Sequence, residues 1–140
     1  MKGILKILIV ASVLLIVGVG VVAAGDMSDF QAPSDLEKGS GNYFENDDFE
    51  LSINSYNKES DYDTLFKDDV DYSVTVMGDT AEYKDTLVDQ VGVLEIVEID
   101  GKYYVVECYF DGNDDSKLSE CNDYLSEFNE LNSLEPISID

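Results

Sequence analysis

The hydrophobic and polar residues of this chain divide it into two unequal parts. Residues 7–24, ILIVASVLLIVGVGVVAA, carry no charge, and Ser12 is their only polar side chain. As a helix that rises about 1.5 Å per residue, such a run spans roughly 27 Å, close to the thickness of a hydrocarbon bilayer core. Residues 1–24, with Lys2 and Lys6 ahead of the run, are therefore predicted to be a transmembrane signal anchor or a signal peptide.

Two interpretations of this run remain open. A retained anchor explains its length, whereas a signal peptide would be cleaved near Ala24, after small residues. In both cases the positive-inside rule leaves Lys2 and Lys6 in the cytoplasm, and every acidic residue follows the run. We therefore expect either a single-pass protein of the cell membrane with its C-terminal domain outside, or a secreted protein.

Residues 25–41 form the next segment, which is polar and contains glycine, serine, aspartate and Pro33. This composition predicts a flexible acidic tether. The exception is the group Phe30, Ala32 and Pro33, which suggests a short first strand docked on the edge of the domain that follows.

Alternating apolar and polar positions over residues 42–135 predict an α+β domain, which would face outward from the membrane. Its centre is residues 91–110, where two apolar runs flank Asp100-Gly101, a favoured pair for a two-residue type I′ turn. Both runs carry apolar residues on both faces, which predicts a central hairpin of an antiparallel sheet, covered on each side. Glu95 and Glu107 lie within these two runs, and a buried carboxylate is unfavourable. Each of them is therefore expected to lie near a strand end or a sheet edge, or to have a polar partner.

The other predicted elements surround this hairpin. Residues 115–131 are predicted to form a C-terminal helix packed on the sheet, because an apolar stripe runs along one face. The members of this stripe are Leu118, Cys121, Leu125 and Phe128. The remaining elements are strands at 42–56 and 71–77, a helix at 61–69 capped by Asp61, an ambiguous segment at 80–90, and a tail with Ile137 and Ile139.

The charge of the chain restricts its partners. The formal net charge is −23, and after Ala24 six lysines face 31 acidic residues, which gives −25. Such a field repels nucleic acids and anionic lipid surfaces but attracts cationic ligands. The sequence has no histidine, tryptophan or arginine, so Ser-His-Asp and Cys-His nucleophile systems and bidentate arginine clamps are excluded. Paired carboxylates of the glycosidase type remain, but no pair stands out.

The two cysteines are candidates for a disulfide. Cys108 lies in the second run of the hairpin, and Cys121 lies on the apolar stripe of the C-terminal helix. Both are expected to face the same helix–sheet interface, and a small exported domain favours a bridge between them. Two buried thiols are the alternative. Redox catalysis is disfavoured, because the spacing is not C-x-x-C and no cation would lower the pKa of a thiol.

Residues 111–115, DGNDD, resemble the first half of a calcium-binding loop. Asp111, Asn113 and Asp115 are the candidate ligands, and Ca²⁺ is the only candidate cofactor. The pattern then departs from the loop, because Ser116 and Asn122 stand where glycine and a bidentate glutamate are needed. A loop that joins the hairpin to the helix and caps the helix is the alternative.

Nine tyrosines are many for a chain of this length. Tyr103, Tyr104 and Tyr109, all in the hairpin, are candidates for an aromatic surface that contacts a protein or a sugar ring. The alternative is that they are half-buried residues of the sheet.

The order of the elements resembles that of PsbP-like domains. The similar features are Phe30-Gln31-Ala32-Pro33 as an F-x-x-P start, the strand at Phe49 to Ile53, the paired strands through Phe110 and the helix from Leu118 to Leu131. The layout is also similar to small membrane-anchored envelope proteins of methanogenic archaea. These resemblances imply an accessory or binding domain, without catalytic residues to carry over.

The sequence thus predicts an acidic, extracytoplasmic, non-catalytic binding or interaction module of the cell envelope, held at the membrane through residues 7–24. Its partner would be an envelope protein or a cationic ligand. A calcium- or ligand-binding sensor is the first alternative, and a carboxylate-dependent hydrolase is the second.

Overall fold

The computed structural model describes residues 30–39, 43–112, 114 and 116–139. The apolar run at 7–24 and the start of the predicted tether lie outside the described residues. Within the described ranges, no helix has both the length and the apolar character needed to cross a bilayer. The elements are β1 (Glu37–Lys38), β2 (Tyr43–Glu45), β3 (Glu50–Ser55), α1 (Lys58–Leu65), β4 (Tyr72–Met77), β5 (Thr80–Asp85), β6 (Gln90–Ile99), β7 (Lys102–Asp111), α2 (Ser116–Leu131) and β8 (Pro136–Ile137).

The eight strands form one antiparallel sheet in the order β1-β2-β3-β7-β6-β5-β4, with β8 paired to β6. The helix α2 packs on one face of the sheet, against β6 and β7. The predicted α+β class with an antiparallel sheet and a packed C-terminal helix is confirmed for this part of the chain.

The hairpin β6–β7 is the centre of the sheet, as predicted. Its strands are paired from Gln90↔Asp111 to Ile99↔Lys102. Asp100 and Gly101 have φ values of 53° and 81°, the positive values that a type I′ turn requires. Residues 90–97 and 104–110 are all buried, so both faces of the hairpin are covered.

Each face of the sheet carries its own apolar core, because side chains alternate between faces along a strand. The core under α2 contains Leu36, Phe44, Phe49, Leu51, Ile53, Val91, Val93, Val97, Tyr104, Val106, Cys108, Phe110, Cys121, Leu125 and Phe128. The core on the opposite face contains Tyr56, Leu65, Phe66, Ala81, Tyr83, Leu94, Ile96, Val105, Tyr109 and Ile139.

The short strand β8 extends the sheet beside β6. β5 pairs with residues 90–95 of β6, and β8 pairs with the next two residues, Ile96↔Ile137 and Val97↔Pro136. Ile139 then enters the core, and its N–H donates to the carbonyl oxygen of Gly78 at 3.0 Å. After the end of α2, the C-terminal tail therefore packs back against the sheet.

The first helix begins earlier than predicted. The sequence placed it at 61–69 with Asp61 as its cap, but α1 covers Lys58–Leu65 and its cap is Asn57. The side chain of Asn57 accepts from the N–H of Glu59 at 2.9 Å. The carboxylate of Asp61, inside the helix, accepts a hydrogen bond from the N–H of Asn57 at 2.8 Å. This bond stabilises the first turn of the helix.

The ambiguous segment at 80–90 is a strand followed by a turn. β5 ends at Asp85, and residues 86–89 form a turn that contains Asp89 at a φ of 54°. Ala81 and Tyr83, two residues apart, both point into the core. This spacing is the two-residue period of a strand and not the period of a helix.

Residues 30–39, predicted as part of the tether at 25–41, pack on the domain. The ring of Phe30 lies 5.5 Å from that of Phe128. The N–H of Gln31 donates to Asn132 Oδ1 at 2.7 Å. The first strand is at Glu37–Lys38 and not at 30–33, because the chain turns there and the N–H of Leu36 donates to the carbonyl oxygen of Pro33 at 3.0 Å.

Candidate functional site

An open groove lies where the C-terminal end of α2, the following turn, β8 and the end of β6 meet. Its volume is about 550 Å³, within the range of roughly 300–1,000 Å³ that is usual for small-molecule sites. We call it the acidic groove. The described residues that line it are Glu98, Asn129, Glu130, Ser133, Leu134, Glu135, Pro136 and Ile137.

The helix end that forms one wall is closed by backbone hydrogen bonds. The N–H of Leu134 donates to the carbonyl oxygen of Asn129 at 2.9 Å, and the N–H of Ser133 donates to that of Glu130 at 3.5 Å. Ser133 has a φ of 54°. These bonds and the positive φ are those of a Schellman motif, in which serine occupies a position that usually holds glycine.

The electrostatic character of this helix end is negative. The carbonyl groups at a helix C-terminus carry a partial negative charge, which lysines of the last turn usually balance. The last turn of α2 contains no basic residue. No basic side chain of the last turn therefore offsets the negative end of the helix dipole beside the groove.

Three exposed glutamates from three different segments line the groove. Glu98 lies on β6, Glu130 on the last turn of α2, and Glu135 just before β8. No lysine is found among the described residues that line it. Like charges held in one groove repel each other, and a bound cation would relieve this repulsion.

Behind the groove, Asn129 is linked to a buried carboxyl group. Its Nδ2 donates to Glu95 Oε2 on β6 at 2.9 Å. Within the described part of the chain, Asn129 Oδ1 and Glu95 Oε1 are buried without a hydrogen-bond partner. Burial raises the pKa of Glu95 to about 7. The hydrogen bond from Asn129 lowers this pKa, and the negative charge of Asp79 raises it. The expectation that Glu95 has a polar partner is confirmed.

The remaining wall of the groove is apolar. Leu134, Pro136 and Ile137 are partly exposed there. A groove with carboxylates at several points and an aliphatic wall suits a ligand that carries positive charge on a hydrocarbon chain.

The second buried carboxyl group, Glu107, lies on the opposite face of the sheet. It accepts a hydrogen bond from the hydroxyl of Tyr83, to which Gln90 Nε2 donates at 2.6 Å. Burial raises the pKa of Glu107 to about 7, and the bond from Tyr83 opposes the rise. The expected polar partner is again found. Across the hairpin, Glu95 lies opposite Val106 and Glu107 lies opposite Leu94. The side chains of the two acids therefore point to opposite faces of the sheet, and they cannot flank one substrate bond.

The structure brings the two cysteines together beneath α2. Cys108 and Cys121 are both fully buried and are present as thiols. Burial raises the pKa of Cys108, and a hydrogen bond with Cys121 raises it further. Both side chains therefore face the same helix–sheet interface, and a disulfide between them stays a prediction.

The calcium candidate is described only at Asp111, because Asn113 and Asp115 lie outside the described residues. Asp114 caps α2, since its Oδ1 accepts from the N–H of Ser116 at 3.0 Å. Among the described residues, no cluster of three or more acids or cysteines could hold a metal ion. Calcium binding stays a prediction.

The three candidate tyrosines do not share a surface. Tyr103 is 45% exposed, whereas Tyr104 and Tyr109 are each 3% exposed. Tyr104 belongs to the core under α2 and Tyr109 to the core on the other face. Alternation along β7 places Tyr104 and Tyr109 on opposite faces of the sheet, and an aromatic contact surface stays a prediction.

Sequence reasoning did not find the acidic groove. Glu98, Glu130 and Glu135 lie among many other acids, and no spacing distinguishes them. Asn129 had one signal, as a polar residue that follows Phe128 at the edge of the apolar stripe. The partner that makes it notable, Glu95, is 34 residues away in the sequence.

No family model and no curated protein matches this chain. The resemblance to PsbP-like domains therefore remains a prediction from the sequence.

Proposed function

We propose that this chain is a membrane-anchored, outward-facing and non-catalytic binding module of the cell envelope, which holds a cationic ligand in the acidic groove. The observation that carries the proposal is the meeting of three exposed glutamates with the C-terminal end of α2, whose last turn has no basic residue. A ligand with positive charge completes an arrangement that is otherwise repulsive.

The anchored and outward-facing position is supported by the sequence. Lys2 and Lys6 precede an uncharged run, and all 31 acidic residues follow it. The test is the intact mass of the native protein in the washed membrane fraction. We expect the full-length mass there. A mass that begins at Gly25, found in the medium, would replace the anchor with a cleaved signal peptide.

The non-catalytic role is supported by the chemistry of the side chains. The chain lacks histidine and arginine, and its two buried glutamates with raised pKa values, Glu95 and Glu107, lie on opposite faces of the sheet. A binding module requires only a shaped and charged surface, which the acidic groove provides.

Binding is tested by titrating the full-length protein, in nonionic micelles, with a hexalysine peptide in a calorimeter. The first variant combines Glu98→Gln, Glu130→Gln and Glu135→Gln. The matched control combines Glu37→Gln, Glu59→Gln and Glu120→Gln, three exposed acids outside the groove. Both variants lose the same charge, so they separate a local site from the general acidity of the surface.

We expect the groove variant to bind hexalysine about tenfold more weakly, since each exposed ion pair contributes about 0.2–1 kcal/mol. The control variant should change the affinity by less than about twofold. Equal losses in the two variants would contradict a site in the groove.

A further inference from the structure

We propose that the protein forms a weak symmetric dimer, in which the outer edge of β4 pairs antiparallel with the same edge of a second copy. Val76 lies on the two-fold axis of this pairing. The dimer goes beyond the proposed function and uses another surface, because none of the described residues that line the acidic groove belongs to β4.

The two outermost strands of the sheet differ in how well they are protected. β1, at one edge, has only two residues, Glu37–Lys38, and both are charged. β4, at the other edge, has six residues and pairs only with β5. Short strands and charged side chains are the usual protection of a sheet edge against pairing with another chain. The edge at β4 has neither of these protections.

Alternate residues of β4 direct their backbone groups away from β5. The N–H of Tyr72 donates to the carbonyl oxygen of Asp69 at 3.3 Å, and the N–H of Val74 donates to Asp68 Oδ1 at 2.9 Å. Because this direction alternates along an antiparallel strand, Val76 faces the same outer edge. Among the described residues, no partner is found for the N–H of Val76 or for the carbonyl oxygens of Val74 and Val76.

The partners that this edge already has select one register of the pairing. With Val76 on the axis, each Val76 donates its N–H to the carbonyl oxygen of the other, and Val74 lies opposite Gly78 of the second copy. The N–H of Val74 is held by Asp68, and the carbonyl oxygen of Gly78 accepts from the N–H of Ile139 at 3.0 Å. These two occupied groups would face each other across the dimer. The dimer therefore forms without breaking either hydrogen bond of the monomer.

The charge of the strand indicates that its partner is a second copy. β4 has the sequence YSVTVM and carries no charge, in a chain with 31 acidic residues and a formal net charge of −23. A cationic partner would gain from acids along the edge, and β4 offers none. A second copy carries the same negative charge, so it can pair closely only where the strand itself is uncharged.

The side chains near the axis agree with this register. On one face, Val76 packs beside the core opposite α2, and it would meet Val76 of the second copy. On the other face, Met77, which is 46% exposed, would lie opposite Thr75 of the second copy. Such pairs stabilise neighbouring strands. One six-residue edge buries much less surface than the roughly 1,600 Å² of a stable complex, so we expect a reversible dimer.

Cysteine cross-linking of the full-length protein in nonionic micelles tests this pairing. Cys108 and Cys121 are both buried, so a cysteine introduced at the surface reports the contact between copies. The variants are Val76→Cys on the proposed axis, Thr75→Cys on the axis of the neighbouring register, and Leu87→Cys at a side chain that is 72% exposed outside β4. After mild oxidation, a nonreducing gel measures the covalent dimer.

We expect Val76→Cys to give about fivefold more covalent dimer than Leu87→Cys, because directly paired residues lie within the Cα distance of a disulfide. Thr75→Cys should give less than Val76→Cys, since an axis at Thr75 requires the N–H of Val74 to leave Asp68. Equal amounts of dimer from Val76→Cys and Leu87→Cys would overturn the proposal. A cross-link from Val76→Cys to a different protein in native membranes would also overturn it.

Sedimentation equilibrium in density-matched micelles measures the dimer without a cross-link. Met77→Asp adds an acid on each side of the axis and should weaken the dimer about threefold to tenfold, whereas Leu87→Asp adds the same charge elsewhere and should change its affinity by less than about twofold. Added NaCl should strengthen the wild-type dimer, because salt screens the repulsion between two acidic domains. A monomer at every salt concentration, or a dimer that Met77→Asp leaves unchanged, would contradict pairing through β4.

Discussion

Asn129 Nδ2 donates a hydrogen bond to Glu95 Oε2 at 2.9 Å, and this bond joins the end of α2 to the middle of β6. It is the contact between the acidic groove and the interior of the domain. Because the acceptor is a buried carboxyl group whose pKa is raised to about 7, the stability of the fold depends on whether Glu95 carries a proton.

The stability of the domain should therefore depend on the pH through Glu95. Below about pH 4.5 the carboxyl group is protonated in the folded and the unfolded chain. Between about pH 4.5 and pH 7 the unfolded chain ionises this carboxyl group while the folded protein keeps it protonated, so the stability contributed by its raised pKa is lost. Glu95→Gln should be about 1–3 kcal/mol more stable than the wild type at pH 8 and nearly equal to it at pH 4.5.

Urea denaturation at both pH values measures this difference. Glu120→Gln, which changes an exposed acid of α2, is the control for the general relief of charge repulsion. A gain for Glu95→Gln that is the same at pH 4.5 and pH 8 would show that the ionisation of Glu95 is not its cause.

The packing of the segment before β1 is tested by Phe30→Ala. Phe30 is partly buried and its ring lies 5.5 Å from that of Phe128. Truncation should cost about 1–3 kcal/mol in the free energy of unfolding, less than the loss of a fully buried phenylalanine. Leu87→Ala, at a side chain that is 72% exposed, should change the stability by less than about 0.5 kcal/mol. Equal effects of the two variants would mean that residues 30–36 act as a free tether.

The cysteine pair is predicted to form a disulfide in the native protein. Each thiol would lose one hydrogen, so the intact mass should rise by about 2 Da on reduction. For a loop of this length the bridge should add about 3 kcal/mol to the stability without reductant. Cys108→Ala/Cys121→Ala should show no response to reductant. An unchanged mass after reduction would leave two buried thiols as the native state.

The sequence predicted the elements whose evidence is local. The hairpin β6–β7 follows from the two apolar runs around Asp100 and Gly101, and α2 follows from the stripe that includes Leu125 and Phe128. In each case the period of the apolar residues agrees with the burial that the fold imposes. The polar partners required by Glu95 and Glu107 follow from the cost of burying a carboxylate.

The features that depend on distant contacts could not be predicted in the same way. The start of α1 depends on two competing acceptors, Asn57 and Asp61, and both are good caps by composition. The position of β8 depends on the part of β6 that β5 leaves uncovered. The acidic groove exists only because this strand returns to the end of α2, and no local pattern of charge marks its glutamates.

The most direct test of the account is a nitrogen–proton correlation spectrum of the full-length protein in nonionic micelles, recorded during a titration with hexalysine. We predict that the amide shifts change at Glu98 and over residues 129–137, saturate together, and are lost in the Glu98→Gln/Glu130→Gln/Glu135→Gln variant. Small changes spread over the acidic residues of the whole domain, equal in the groove variant and in the Glu37→Gln/Glu59→Gln/Glu120→Gln control, would contradict a specific cationic site.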